Sequence, residues 1–237
     1  MDNANYATLT RQHGLLSEMQ VIANNIANMA TTGFRQEGLI FAEHVARLAP
    51  QDGLSMATAS VPNTSAQQGA LTQTNGSFDL AIEGPGYFLV ETPLGPRMTR
   101  AGAFVPSATG ELMTPDGYLL LDTGETPVFV PPGARSYHIA PDGTLSADGA
   151  PTGQIGVFQP LDPLGLRRED GVMFASDGGF DPVLDPRMVQ GFLEQSNVDP
   201  ISQIARMIEV QRAYEMGQNF LKSEDERIRR ALEAMSR

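Results

Sequence analysis

One stretch limits the fold of this chain more than any other. From Asp199 to Met235 the sequence reads as a single long helix. Asp199 is a good N-cap, and Pro200 suits the first helical position, where no N–H is needed. Only Gly217 breaks the run of helix formers. Apolar or small residues recur at Met207, Val210, Tyr214, Gly217, Leu221, Ile228, Ala231 and Met235. The steps are threes, fours and one seven, a period near 3.5 residues. At 1.5 Å per residue the run makes a rod of roughly 55 Å. That exceeds what a compact domain of this size needs, so the narrow seam calls for a partner helix.

A second helical pattern lies at the other end, over residues 3–31. Leu15, Met19, Ile22, Ile26 and Met29 follow four-three-four-three spacing, with Leu9, Leu16, Ala23 and Ala30 alongside. Thr31-Thr32-Gly33 is expected to stop the helix, with Gly33 as a left-handed cap. Two such seams, one at each end, predict a coiled-coil-like pair. Asn24, Asn25 and Asn28 are poor helix formers. They are either solvated surface or amides that bond to neighbouring helices and fix register.

Between the helices the character changes. In residues 36–70, Phe41, Val45 and Leu48 could continue a short helix. Pro50 to Gly69 holds few large apolar groups and reads as a linker or extended arm. Residues 71–190 read as β. Phe78, Leu80 and Ile82 alternate with polar or small residues as in a half-buried strand. Further strands are expected at 87–90, 97–100, 103–105, 118–121, 128–130, 137–139 and 155–158. Asp116-Gly117, Asp142-Gly143 and Asp148-Gly149 mark hairpin turns. Residues 160–188 read as a long irregular return. The fold class expected is therefore mixed: paired terminal helices around a central β-sandwich or partly closed barrel. The expected division is 1–35, 36–70, 71–190 and 191–237.

The chain of 237 residues carries a formal net charge of -12, which argues against nucleic-acid binding. There is no Cys, hence no disulfide framework and no thiolate chemistry. The start lacks a basic segment followed by an apolar run, so no cleaved signal peptide and no membrane insertion are expected. His13, His44 and His138 are far apart and form no metal-ligand spacing. Gly84-Pro85-Gly86 is not followed by a helix, as a dinucleotide loop would be. The Asp142–Asp148 stretch lacks the glycine and distant Glu of a calcium loop. No catalytic residue, cofactor site or metal site is expected. A secreted β-domain binding module would want an aromatic platform, but Trp is absent and the Tyr are scattered.

Three runs resemble one known family. Asn24-Asn25-Ile26-Ala27-Asn28 with Thr31-Thr32-Gly33-Phe34-Arg35 resembles the N-terminal signature of bacterial flagellar rod and hook proteins. Phe78 to Phe88, with Thr99-Arg100-Ala101-Gly102-Ala103-Phe104, resembles the opening of the same family's β-domain. Gly191 to Asp199 and Met207 to Glu215 resemble its C-terminal signature. Length and both ends look most like the proximal rod members, with the distal rod member as the alternative. The resemblance implies a structural subunit whose terminal helices pack into an inner tube around an export channel. Its implied partners are copies of itself, other rod proteins and the flagellar type III export apparatus. Its implied place is the basal body in the periplasm. The expected assembly surface is Leu15, Met19, Ile22, Asn24, Asn25, Ile26, Asn28, Met29, Gly33 and Phe34, with Met207, Val210, Gln211, Arg212, Tyr214, Leu221 and Ile228. If the five N-terminal seam residues went from exposed to buried on assembly, they would offer roughly 8–15 kcal/mol before ordering costs.

Overall fold

The computed structural model describes residues 2–47 and 53–235. The chain divides into a helical unit (1–27, 37–63 and 199–237) and a β-unit (28–36 and 64–198).

Two helices and a ribbon make the helical unit. Helix α1 spans Asp2–Ala27 and helix α2 spans Pro200–Met235. The start of α2 follows from its chemistry. The Asp199 carboxylate accepts from the Ser202 hydroxyl and from the Ile201 N–H at 3.1 Å, satisfying a donor that the first helical turn leaves free. The end of α1 differs from expectation. Gly33 does adopt a left-handed φ of 72°, but α1 stops at Ala27, and Gly33 turns the chain inside the β-unit instead.

The segment read as a linker or extended arm holds two strands: β1 (Glu37–Arg47) and β2 (Gly53–Thr64) pair with each other. Leu48, placed in a possible short helix, lies outside the described residues. The linker reading used burial as its criterion. A two-stranded ribbon satisfies its backbone through the partner strand and needs few large side chains, though in isolation it is marginal in water.

The β-unit opens with β3 (Leu71–Gln73), β4 (Leu80–Ile82), β5 (Phe88–Thr92) and β6 (Gly95–Thr99). Three short strands follow, β7 (Val105–Pro106), β8 (Leu112–Met113) and β9 (Leu119–Leu120). Next come β10 (Tyr137–Ile139), β11 (Thr144–Ala147), β12 (Ala150–Gln154) and β13 (Phe158–Pro160). The unit ends with β14 (Leu166–Asp170), β15 (Met173–Ser176), β16 (Phe180–Pro182), β17 (Met188–Gln190) and β18 (Phe192–Glu194). Seven of these form an open sheet in the order β14-β15-β6-β5-β9-β8-β7, and β10-β11-β12 form a second. Both sheets contribute to one core that includes Leu80, Phe88, Leu120, Ile139 and Leu145. The hairpin glycines have positive φ, and at β11–β12 Asp148 and Gly149 both do, as a type I′ turn requires.

Two expectations fail here for physical reasons. The strand at Leu80–Ile82 is buried on both faces, because Ala81 is small enough to pack inward as well. The supposed irregular return holds β14 to β17. Its strand Leu166-Arg167-Arg168-Glu169-Asp170 reads as loop because charges dominate it, and charge is what an edge strand carries to discourage further pairing.

Candidate assembly surface

The helical pair is antiparallel. Gln12 lies against Tyr214 and Gly217, Glu18 against Arg206, and Asn25 against Gln203. On α2 the covered positions are Gln203, Met207, Val210, Tyr214, Gly217, Leu221 and Glu224, with Ala213 beside them. Their spacing is four and three in alternation, the coiled-coil period. The single glycine of α2 has a specific cause. A Cβ at Gly217 would run into the Gln12 side-chain amide, which crosses there to donate to the Tyr214 carbonyl at 2.9 Å.

The seam is notable for what it buries. Among the described residues of the helical unit, the fully buried side chains are Ile22, Val210 and three amides, Gln12, Asn25 and Gln203. Asn25 Nδ2 donates to the Glu37 carbonyl at 2.8 Å and to Gln203 Oε1 at 3.2 Å, while Asn25 Oδ1 accepts the Glu37 N–H at 2.9 Å. One side chain thus ties α1 to β1 and to α2. Buried amides fix register, but each adds only a modest net free energy once desolvation is counted. At the rim, Glu18 accepts from Arg206 at 2.7 Å, and that bond raises the guanidinium's pKa.

A second apolar stripe on α2 lies outside this seam. Ile201, Ile204, Ile208, Met216 and Phe220 are exposed, Ile201 by 80% and Met216 by 66%. From Asp225 onward every described residue of α2 is exposed, including Ile228, Leu232 and Met235. Leu9 and Leu16 are exposed on α1.

The chain's passages between helices and strands are held inside the β-unit by a buried ion cluster. Arg35 Nη2 meets Glu194 Oε1 at 2.8 Å, and Arg100 Nε lies 3.6 Å from Glu194 Oε2. Arg35 also donates to the Ala66 carbonyl at 2.8 Å, and Glu194 Oε1 accepts the Gly69 N–H at 3.0 Å. Gly33 donates its N–H to the Glu194 carbonyl at 2.7 Å, and a Cβ there would overlap the Ala101 backbone. Asn197 accepts the Gln36 N–H at 2.6 Å and donates to the Gln67 carbonyl at 2.7 Å. The Arg168 guanidinium sits over the Phe34 and Phe174 rings, 4.3 and 4.6 Å from their centroids, and donates to the Arg35 carbonyl. Segments 33–36, 66–69 and 194–197 are therefore stitched into one body.

Three family models match this chain in order. They are the flagella basal body rod protein model over residues 9–35, the flagellar hook protein FlgE/F/G D1 domain over 81–147, and the flagellar basal body rod FlgEFG protein C-terminal model over 189–234. The chain is 37% identical to the flagellar basal-body rod protein FlgF of Caulobacter vibrioides, over 100% of this chain and 99% of that one. The chain belongs to the flagellar basal-body rod protein family. It is 35% identical to the FlgF of Mesorhizobium japonicum over 91% of this chain and 90% of that one. It is 32% identical to the rod protein FlgG of Bacillus subtilis over 93% and 94%. Members of the rod family are structural rather than catalytic proteins of the flagellar basal body, and so is this chain. No described group of three His, Asp or Glu could hold a metal ion, and no described helix is long and apolar enough to cross a membrane.

Within this rod-family chain the residues expected to form the assembly surface fall into three groups. Ile22, Asn25 and Val210 are buried in the helical unit, and Leu15, Met19, Asn24, Ile26, Met207, Tyr214 and Leu221 are half-buried there. Gly33 and Phe34 are buried in the β-unit, and Asn28 accepts the Thr31 hydroxyl at 3.1 Å. Met29, Gln211, Arg212 and Ile228 are exposed. Asn25, Gly33 and Phe34 make their observed contacts inside the subunit. The exposed stripe from Ile201 to Phe220 was not among the expected residues. Its signal in the sequence is short, a three and a four over Ile201, Ile204 and Ile208, then a gap of eight across Arg212 to Met216 and Phe220, beside the stronger seam.

Proposed function

We propose that this chain is a FlgF-type subunit of the proximal rod, and that its terminal helices join neighbouring subunits to build part of the drive shaft around the export channel. Its partners are copies of itself and other rod proteins, FlgG among them. It reaches the periplasmic basal body through the flagellar type III export apparatus without a cleaved signal. The observation that carries this reading is the apolar stripe Ile201, Ile204, Ile208, Met216 and Phe220, left uncovered beside a seam already closed within the chain. Covering each such side chain fully is worth roughly 1.5–3 kcal/mol before the cost of association. This relocates the driving force, since Leu15, Met19, Ile22 and Ile26 of the N-terminal seam are already buried or half-buried in their own subunit, Met29 alone of the five being exposed. A non-closing contact between copies builds a helical tube. The β-unit is read as a sandwich-like body, supported by the larger of its two core clusters, to which both of its larger sheets contribute.

The FlgG-type reading is the second, supported by the Bacillus subtilis relative; the FlgF relatives cited are the more similar. In a flagellated host lacking its own FlgF, the wild-type chain is expected to restore swimming. The Ile204→Asp/Ile208→Asp variant is expected to leave the β-unit folded by circular dichroism and to abolish motility. Swimming cells carrying the double variant would refute the role given to the stripe. Rescue of a host lacking FlgG, and not of one lacking FlgF, would favour the second reading.

A further inference from the structure

The covered seam of α2 stops before the helix does. Its four-three spacing runs from Gln203 to Glu224 on the face turned to α1, and from Asp225 onward every described residue is exposed. The spacing itself continues without a break. Ile228, Ala231 and Met235 are the next three positions, with Leu232 beside them. Leu232 is 62% exposed and Met235 85%. A repeat that keeps the coiled-coil period beyond its covered length calls for a second helix. At the other end of α2, on a face outside the seam, Ile201, Ile204 and Ile208 repeat the same step of three and four and are also exposed. One helix thus carries two short apolar rows of equal length, one at its head and one at its tail.

We propose that the tail row of one copy, Ile228, Ala231 and Met235, is the docking site for the head row of a second copy, Ile201, Ile204 and Ile208, with the two α2 helices parallel. The inference rests on the rod-subunit reading and names what covers the exposed isoleucines. The shared spacing sets Ile201, Ile204 and Ile208 level with Ile228, Ala231 and Met235. In the middle layer the small Ala231 faces Ile204, the large-against-small fit that close packing favours. Tail against tail in the same register puts two alanines in that layer. Head against head leaves the continued seam uncovered. Because head and tail are different surfaces, each added copy keeps one of each free, and the contact does not close. So short an overlap buries only part of the ~1,600 Å² of a standard interface, so single contacts are weak and many together hold the polymer.

The chain has no Cys, so introduced thiols report this contact alone. The test mixes purified full-length chains, one with Ile204→Cys and one with Ala231→Cys, at rising concentration in a glutathione redox buffer. Both positions are exposed, and the circular dichroism of each variant is expected to match the wild type. Two Cys bridge only when their Cα atoms come within about 7 Å, so the mixed disulfide dimer is expected in about tenfold excess over that from Asn219→Cys with Ala231→Cys. Asn219 is exposed on α2 and belongs to neither row. The chain carrying Ile204→Cys and Ala231→Cys together is expected to give dimers, trimers and longer species. No excess over the Asn219 control, a double variant that stops at dimers, or Ala231→Cys linking to itself as readily as to Ile204→Cys would each overturn the proposal. Mixed cross-linking by a chain that fails to restore swimming supports the contact and counts against the rod reading alone. Restored swimming without the mixed dimer overturns the contact and leaves the rod reading in place.

Discussion

The two units of this molecule solve the burial problem in opposite ways. The β-unit has a continuous apolar core, with Leu80, Phe88, Leu112, Leu120, Leu145 and Ile155 all inaccessible, and it also closes its own entry and exit segments with Arg35, Arg100 and Glu194. The helical unit, among its described residues, fully buries Ile22 and Val210 with three amides and leaves a row of isoleucines uncovered. Amides at a seam choose register and partner; they contribute little net adhesion. The difference is that one unit closes its core within the single chain, while the other fixes its geometry there and, in the proposed assembly, obtains much of its stabilisation from neighbours.

The sharpest way to break this comparison is at Glu194. Glu194→Ala leaves two buried guanidinium groups without their carboxylate, a change that costs about 3–5 kcal/mol. Urea unfolding followed by near-ultraviolet circular dichroism should show the β-unit losing that much; a loss under 1 kcal/mol would mean the cluster is not what closes it. The next effect is smaller and belongs to the helical unit. Asn25→Ala removes partners from the Glu37 N–H and carbonyl and from Gln203, at a cost of about 1–3 kcal/mol. Faster amide exchange in α1 and α2, with unchanged exchange in β5 and β6, is the expected pattern, and equal change in both units would contradict it.

The smallest effect is one of acidity. The Asp199 carboxylate lies below its ordinary value of 3.8 because it accepts from the Ser202 hydroxyl and, next, from the Ile201 N–H. With the folded value below the unfolded one, its contribution to α2 is complete above the unfolded value and lost as pH falls through the folded value. Helical ellipticity should therefore drop on acidification below about pH 4. Asp199→Asn, which caps without titrating, should flatten that step; an identical acid profile in the variant would remove Asp199 from the explanation.

Much of this was legible in the sequence, and the exceptions have physical causes. The Asp199–Pro200 start, the 3.5-residue seam and the Asp-Gly turns are local features, set by capping, spacing and positive φ at the residues themselves. The ribbon at Glu37–Arg47 and Gly53–Thr64 was hidden because its two strands pair with each other and the sequence between Pro50 and Gly69 is poor in large apolar residues. Asn25 was visible as an oddity, but its partners lie at Glu37 and at Gln203, far along the chain. Gly217 was equally visible, and its reason, the Gln12 amide crossing above it, belongs to the opposite end of the sequence. The family signature around Thr31–Arg35 was legible as a signature and not as a clasp, because Glu194 and Arg100 complete it only in three dimensions.

The most direct measurement is hydrogen exchange of the free, full-length monomer at neutral pH, resolved by segment. The expected result is strong protection in β5, β6 and β9 and exchange many times faster across residues 8–27 and 200–235, with protection of the helices rising once the subunit is assembled. Equal, strong protection of helices and strands in the free monomer would contradict the claim that the helical unit is finished by its neighbours.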